Sequence, residues 1–477
     1  MTYLGAQNSI ALGVQGIIHI DTGVVGSADY LLAKSLRFRS SASAYLNRTF
    51  GTPTAGTKYT ISVWVKRGTL GVTHTIFAAG SATANDYDSL QFNSSTNAIA
   101  IFARNGLTYE VDPTQALRDP AAWYHFIIAV DTTQATASNR VLWYINGTQV
   151  TSFSTATYPT QNSTSAFNRS GANHAIGALY AGSYNQYFDG ELAEFNFIDG
   201  QQLAPTAFGA FSTYNQWLPI KYAGTYGTNG FYLPFTNTTS TSTLVADSSG
   251  NANNWTPNNI SLTAGSTYDS LTDVPTLTST TVANYAVWNP LDSASAAASI
   301  NGNLTWSNAA ASHLGVRGTI AIPASGAFYM ECVTGSTTNN SSAVSFGLGA
   351  STVSLTASLS GVANIYQLWA ALGGFIYNGA TVISSSLGAF SANDVMQIAV
   401  DVTNTKMWVG KNNVWYDNLG GTTGSPSTGA NPTFTTSMVG LFPITEAYAN
   451  SVAVNFGQRP FAYTAPSGFL PLNTYNI

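Results

Sequence analysis

The chain is a succession of short segments in which apolar and polar residues alternate, each closed by Asn, Gly or Pro. The pattern is clear in KYTISVWVKRG (58–68), WYHFIIAVD (123–131), RVLWYINGTQV (140–150), DVMQIAVDV (394–402) and SVAVNFG (451–457). A period of two places one side of each segment on a core and the other on solvent, as in a half-buried strand. Asn146-Gly147 between two such runs predicts a type I′ hairpin, because both residues tolerate the positive φ that this turn demands. Lys411-Asn412-Asn413 predicts a second tight turn. ALRDPAA is broken by Pro120 and the SASAAAS run at 293–299 is short and uncapped, so no long helix is expected. The fold class is all-β, with turn signals spaced as in antiparallel β-sandwich or jelly-roll domains.

Composition agrees. The 477 residues exceed one ordinary core and predict two or three domains. Only 8% are charged while 44% are hydrophobic, so cores are well supplied and the surface is built from Ser, Thr, Asn, Gln and Gly. A net charge of −5 argues against a nucleic-acid partner, which calls for a basic patch. Cys332 is the sole cysteine, which excludes an intrachain disulfide and predicts a buried strand thiol. The first residues, MTYLGAQNSIALG, lack the pattern of a signal peptide, and no apolar run reaches the roughly 20 residues of a membrane span. The expectation is a protein made in a cytoplasm, without membrane insertion.

Two resemblances sharpen this reading. Trp123-Tyr124-His125 opening a strand, the Trp143–Gly147 hairpin, Ile176-Gly177, and the closing FDGELAE at 188–194 resemble the laminin-G-like, concanavalin-A-like jelly roll. Further on, DVMQIAVD, the KMWVGKNNVWYDN hairpin (406–418) and the terminal SVAVNFGQRPFAYTAPSGFLPL resemble SPRY domains, in the form common in bacteriophage virion proteins. The expected organisation is an N-terminal arm at 1–34, suited to virion attachment, and a laminin-G-like sandwich at 35–235. An aromatic, turn-rich connector (236–275) and an SPRY-like sandwich (276–477) follow. GFYLPF (230–235) is expected to add a last strand to the first sandwich.

Candidate chemistry is sparse. Retaining glycosidases need two carboxyls about 5–5.5 Å apart, and Glu191 and Glu194 are at odd separation, so no enzyme is expected. The five histidines lack metal-ligand spacing, and His125 is expected as a core residue bonded to backbone. Asn85, Asp86 and Asp88 supply hard oxygen ligands in one loop and are the candidate calcium site, calcium being the one cofactor considered. Aromatics beside amides suit sugars, whose apolar faces stack while hydroxyls are hydrogen-bonded. The candidates are Tyr180, Tyr184, Asn185, Gln186, Tyr187 and Asp189 in the first domain, and Tyr366, Trp369, Trp415 and Tyr416 in the second. The resemblance implies a tailed-phage virion protein, a tail fibre or appendage, that binds a host-surface glycan non-covalently beside other virion proteins. It further implies a homo-oligomer, by analogy a trimer, with avidity from several copies. A capsid or tail decoration protein is the alternative, and a depolymerase a third.

Overall fold

The computed structural model describes residues 30–83, 85–104, 109–295, 299–339, 341–371 and 374–477. Of the expected N-terminal arm, residues 1–29 lie outside the described residues. The protein is all-β: the α-helix among the described residues is the single turn Thr241–Leu244, capped by Ser240.

The first sandwich has two antiparallel eight-stranded sheets. One runs Thr148–Gln149, Val141–Ile145, Trp123–Asp131, Lys58–Arg67, Gly190–Asp199, Ser35–Phe38, Ser270–Leu271, with Phe231–Leu233 also paired to Gly190–Asp199. The other runs Phe153–Thr157, Tyr109–Pro113, Ile99–Arg104, Tyr87–Phe92, His74–Gly80, Asn173–Ile176, Tyr45–Thr49, Thr256–Asn258. Their inner faces meet in an aromatic core that includes Phe77, Phe167, Phe195, Phe197 and Phe231. Asn146 and Gly147 both take positive φ, 48° and 75°, as a type I′ turn requires. GFYLPF supplies Phe231–Leu233, paired as expected.

Two expectations need correction. Residues 236–275 are no free connector: Leu244, Val245 and Trp255 are buried in the first core, and Thr256–Asn258 and Ser270–Leu271 each extend one of its sheets. Pro257 is tolerated because Thr256–Asn258 is an edge strand. His125, second, is bonded through side chains. Its Nδ1 accepts from the Trp217 indole at 2.8 Å, so Nε2 carries the proton and faces the Ser62 hydroxyl at 2.9 Å. It lies on the outer face of the first sheet, where Trp64, Trp123, Phe208, Trp217 and Tyr222 form a second apolar layer. Burial there holds the imidazole neutral, its pKa down to about 3.

The second sandwich pairs a seven-stranded sheet with an eight-stranded one around Trp288, Trp306, Phe328, Phe346, Met396 and Val454. Asn412 and Asn413 both take positive φ in the hairpin joining Lys406–Lys411 to Val414–Trp415. Cys332 is buried on the strand Ala327–Thr334, and burial raises its thiol pKa.

The two sandwiches meet through buried charges. Lys66 Nζ reaches Asp273 Oδ2 at 2.7 Å, Asn284 Oδ1 at 2.7 Å and the Tyr285 carbonyl at 3.0 Å. Asp269 Oδ1 binds the Nε of Arg37 at 3.1 Å and of Arg39 at 2.8 Å. These pairings offset part of the desolvation that an unpaired ion would suffer.

Candidate functional site

The first-domain candidates come together on the outer face of the second sheet. Leu179–Tyr180 and Tyr184–Asn185 form a two-stranded hairpin that folds back beside His74–Gly80. Gly80 allows this approach, since a Cβ there would press on the Tyr180 carbonyl. The hairpin brings Tyr184 to a ring-centroid distance of 4.9 Å from Tyr180 and 4.1 Å from Tyr45, while Tyr187 lies 6.1 Å from Tyr45. All four rings are half-buried. Asn173 donates to the Tyr184 hydroxyl at 2.8 Å, and its shielded Oδ1 has no partner. The Tyr187 hydroxyl donates to the Tyr184 carbonyl at 3.1 Å and fixes the fourth ring. Gln186, exposed and at φ 49°, and Asn185 rim the cluster with amides. Such a surface offers stacking faces, phenol hydroxyls and amides, the groups that match a sugar's alternating apolar and hydroxyl faces.

Tyr45 and Asn173 escape a reading of the local sequence. They join the cluster only because Tyr45–Thr49 pairs with Asn173–Ile176. The outward positions of AYLNRTF held the one usable signal, since Tyr45 and Asn47 share a face by alternation.

Asp189 does not belong to this surface. It is fully buried, and its carboxylate accepts from the Ser40 hydroxyl at 2.7 Å and from the backbone N–H groups of Asn301 and Gly302 at 2.8 Å each. Phe188-Asp189 turns inward where the second sandwich docks, so Asp189 is a joint residue.

The second-domain candidates are scattered. Tyr366 and Trp369 sit three apart on Ile365–Ala370, so alternation sends them to opposite faces. Tyr366 packs inward toward Phe434 at 5.5 Å. Trp369 faces out beside Phe375 and Tyr377, at 5.4 and 6.1 Å, and donates to Glu446 Oε1 at 2.5 Å. His313 Nδ1 lies 3.3 Å from the same carboxylate, which raises its pKa. Tyr416 is a core residue, and Trp415 is packed with Tyr329 and Phe461 on the other sheet.

The candidate calcium ligands do not converge. Asp86 is held bidentately by Arg169, at 2.9 and 2.8 Å. Asp88 shares the inward face of its strand with Leu90 and Phe92, and burial beside Tyr59 and Tyr109 pushes its carboxyl up to about 7. Asn85 is exposed. No three His, Cys, Asp or Glu side chains are placed to hold a metal among the described residues. Glu191 is enclosed in the joint near Ser35, 3.5 Å away, whereas Glu194 opens on a separate cavity.

No curated protein sequence matches the chain. Among solved structures it is similar to domain 4 of an extracellular arabinanase from Geobacillus stearothermophilus, in complex with arabinotriose. That match has 21% identity and a TM-score of 0.25, and covers 31% of this chain and 64% of that one. Similar too are the carbohydrate-binding module CBM40 of a Ruminococcus gnavus sialidase (13% identity, TM-score 0.25, 37% of this chain, 91% of that one) and the SPRY domain of human HERC1 (13%, 0.25, 34% and 91%). The family model of the concanavalin A-like lectin/glucanases superfamily matches residues 40–206, the span that carries all four tyrosines.

Proposed function

We propose that this protein binds a carbohydrate non-covalently, without catalysis, through the tyrosine face of its first sandwich. The observation that carries the reading is the close packing of Tyr45, Tyr180, Tyr184 and Tyr187 into one half-buried aromatic patch rimmed by amides. The match of this span to a lectin/glucanase superfamily supports the same reading. The setting we infer is a virion component that attaches to a host-surface glycan in several copies. It rests on the two-sandwich resemblance and on a polar surface of low charge.

A glycan array probed with the whole chain tests the proposal, followed by calorimetry on the best ligand. Tyr184→Ala is expected to weaken binding by about tenfold or more, as loss of a stacking platform does. Unchanged affinity in both Tyr184→Ala and Tyr180→Ala would remove the tyrosine face from the account.

A further inference from the structure

On the opposite side of the first sandwich, the strand Gly190–Asp199 carries a bulge between Ala193 and Asn196. Glu194 sits in it at φ 52°, a left-handed conformation that disfavours any residue with a Cβ. The bulge keeps Leu192, Phe195 and Phe197 in the core while Glu194 turns outward, beneath a cavity of about 330 Å³. Bulges and strained residues of this kind gather at functional sites.

The floor of the cavity is a ring of three groups. Glu194 Oε2 meets the Tyr232 hydroxyl at 2.9 Å, Oε1 meets the Tyr30 hydroxyl, and the two hydroxyls lie 2.6 Å apart. Both phenols donate to the carboxyl, and the contact between the two hydroxyls closes the ring. Burial pushes the Glu194 carboxyl up to about 7. Lys34 and Lys221 stand on the walls with Thr236 and Ser248. Neither lysine has a salt bridge among the described residues, in a chain with only 16 basic side chains.

We propose that this cavity is a second binding site, selective for a sugar that carries a carboxylate, such as a uronic acid residue of an acidic polysaccharide. Lys34 and Lys221 meet the carboxylate, while Thr236, Ser248 and the tyrosine oxygens meet hydroxyls. The size is that of a small-ligand pocket. An ionised Glu194 would repel the ligand, so the form with Glu194 protonated is the binding form. The groups facing Glu194 are Tyr30, Tyr226, Tyr232 and Lys221. Lys34 lies across the cavity, and Asp247 behind Tyr232 is occupied by the Tyr232 N–H at 2.9 Å. The site is independent of the tyrosine face.

Calorimetric titration of the full chain with sodium glucuronate, against glucose, reads this directly. Glucuronate is expected to bind about tenfold or more tighter than glucose near pH 6, and to weaken as pH rises through about 7. Lys34→Met with Lys221→Met should abolish that preference and leave the melting temperature unchanged. Glu194→Gln should retain binding and lose its pH dependence, and Tyr184→Ala, which weakens binding at the tyrosine face, should leave the preference for glucuronate over glucose in place. Equal binding of glucose and glucuronate, wild-type affinity in the double lysine variant, or loss of glucuronate binding in Tyr184→Ala would overturn the proposal.

Discussion

Replacing Lys66 by Met would strike the joint between the sandwiches at a buried ion pair. Lys66 and Asp273 are almost fully shielded, with side-chain exposures of 3% and 0%, and their charged atoms are 2.7 Å apart. Methionine matches the lysine stem in length, so packing is kept and the charge alone is removed. Asp273 then retains the Trp123 indole N–H at 3.0 Å as its side-chain donor, and the Asn284 and Tyr285 oxygens lose theirs. Removing one partner of a buried ion pair costs about 3–5 kcal/mol. Urea unfolding followed by tryptophan fluorescence should show that loss. Lys66→Met combined with Asp273→Asn should cost less than the two single variants summed, by about 1–3 kcal/mol, because the stranded charge disappears. A loss below about 1 kcal/mol in Lys66→Met, or strict additivity in the double variant, would refute a paired, desolvated joint.

Glu194 has a folded-state pKa of about 7 against an ordinary 4.5. A raised pKa stabilises fully below the unfolded value and is lost as pH rises through the folded one. Glu194→Gln should therefore remove about 3 kcal/mol of pH dependence between those limits, measured as the difference in denaturation free energy between acid and neutral buffer. Asp189→Ala should lower stability by about 2–4 kcal/mol, since the Asn301 and Gly302 N–H groups lose their acceptor, and should leave glycan affinity unchanged. Weakened binding would return Asp189 to the ligand site. Gly147→Ala should cost about 1–3 kcal/mol in chemical denaturation, because a Cβ there overlaps the Trp217 indole at a left-handed position.

The strands and tight turns were legible because their causes are local. Alternation in Lys58–Arg67 and Trp123–Asp131, and the pairs Asn146-Gly147 and Asn412-Asn413, act through neighbours in sequence. The layer of Trp217 and Tyr222 over the first sheet was not legible. Nothing local says which face of which sheet will receive them. Residues 236–275 read as a connector because strands of two or three residues, such as Ser270–Leu271, gain their pairing from distant partners. The site shows the same division. Tyr180, Tyr184 and Tyr187 lie within one short segment of sequence and were visible, whereas Tyr45 and Asn173 arrive through strand pairing. Asp189 misled because an acidic residue beside tyrosines looks the same whether it faces a ligand or a docked domain.

The most direct test of the central claim is fluorine NMR on protein labelled with 3-fluorotyrosine, titrated with the best uncharged glycan from the array. Among the 25 tyrosines, the account expects shifts confined to Tyr45, Tyr180, Tyr184 and Tyr187, assigned by single Tyr→Phe variants. A bound glycan that leaves those four signals in place, or moves those of Tyr366 and Tyr377 instead, would contradict it.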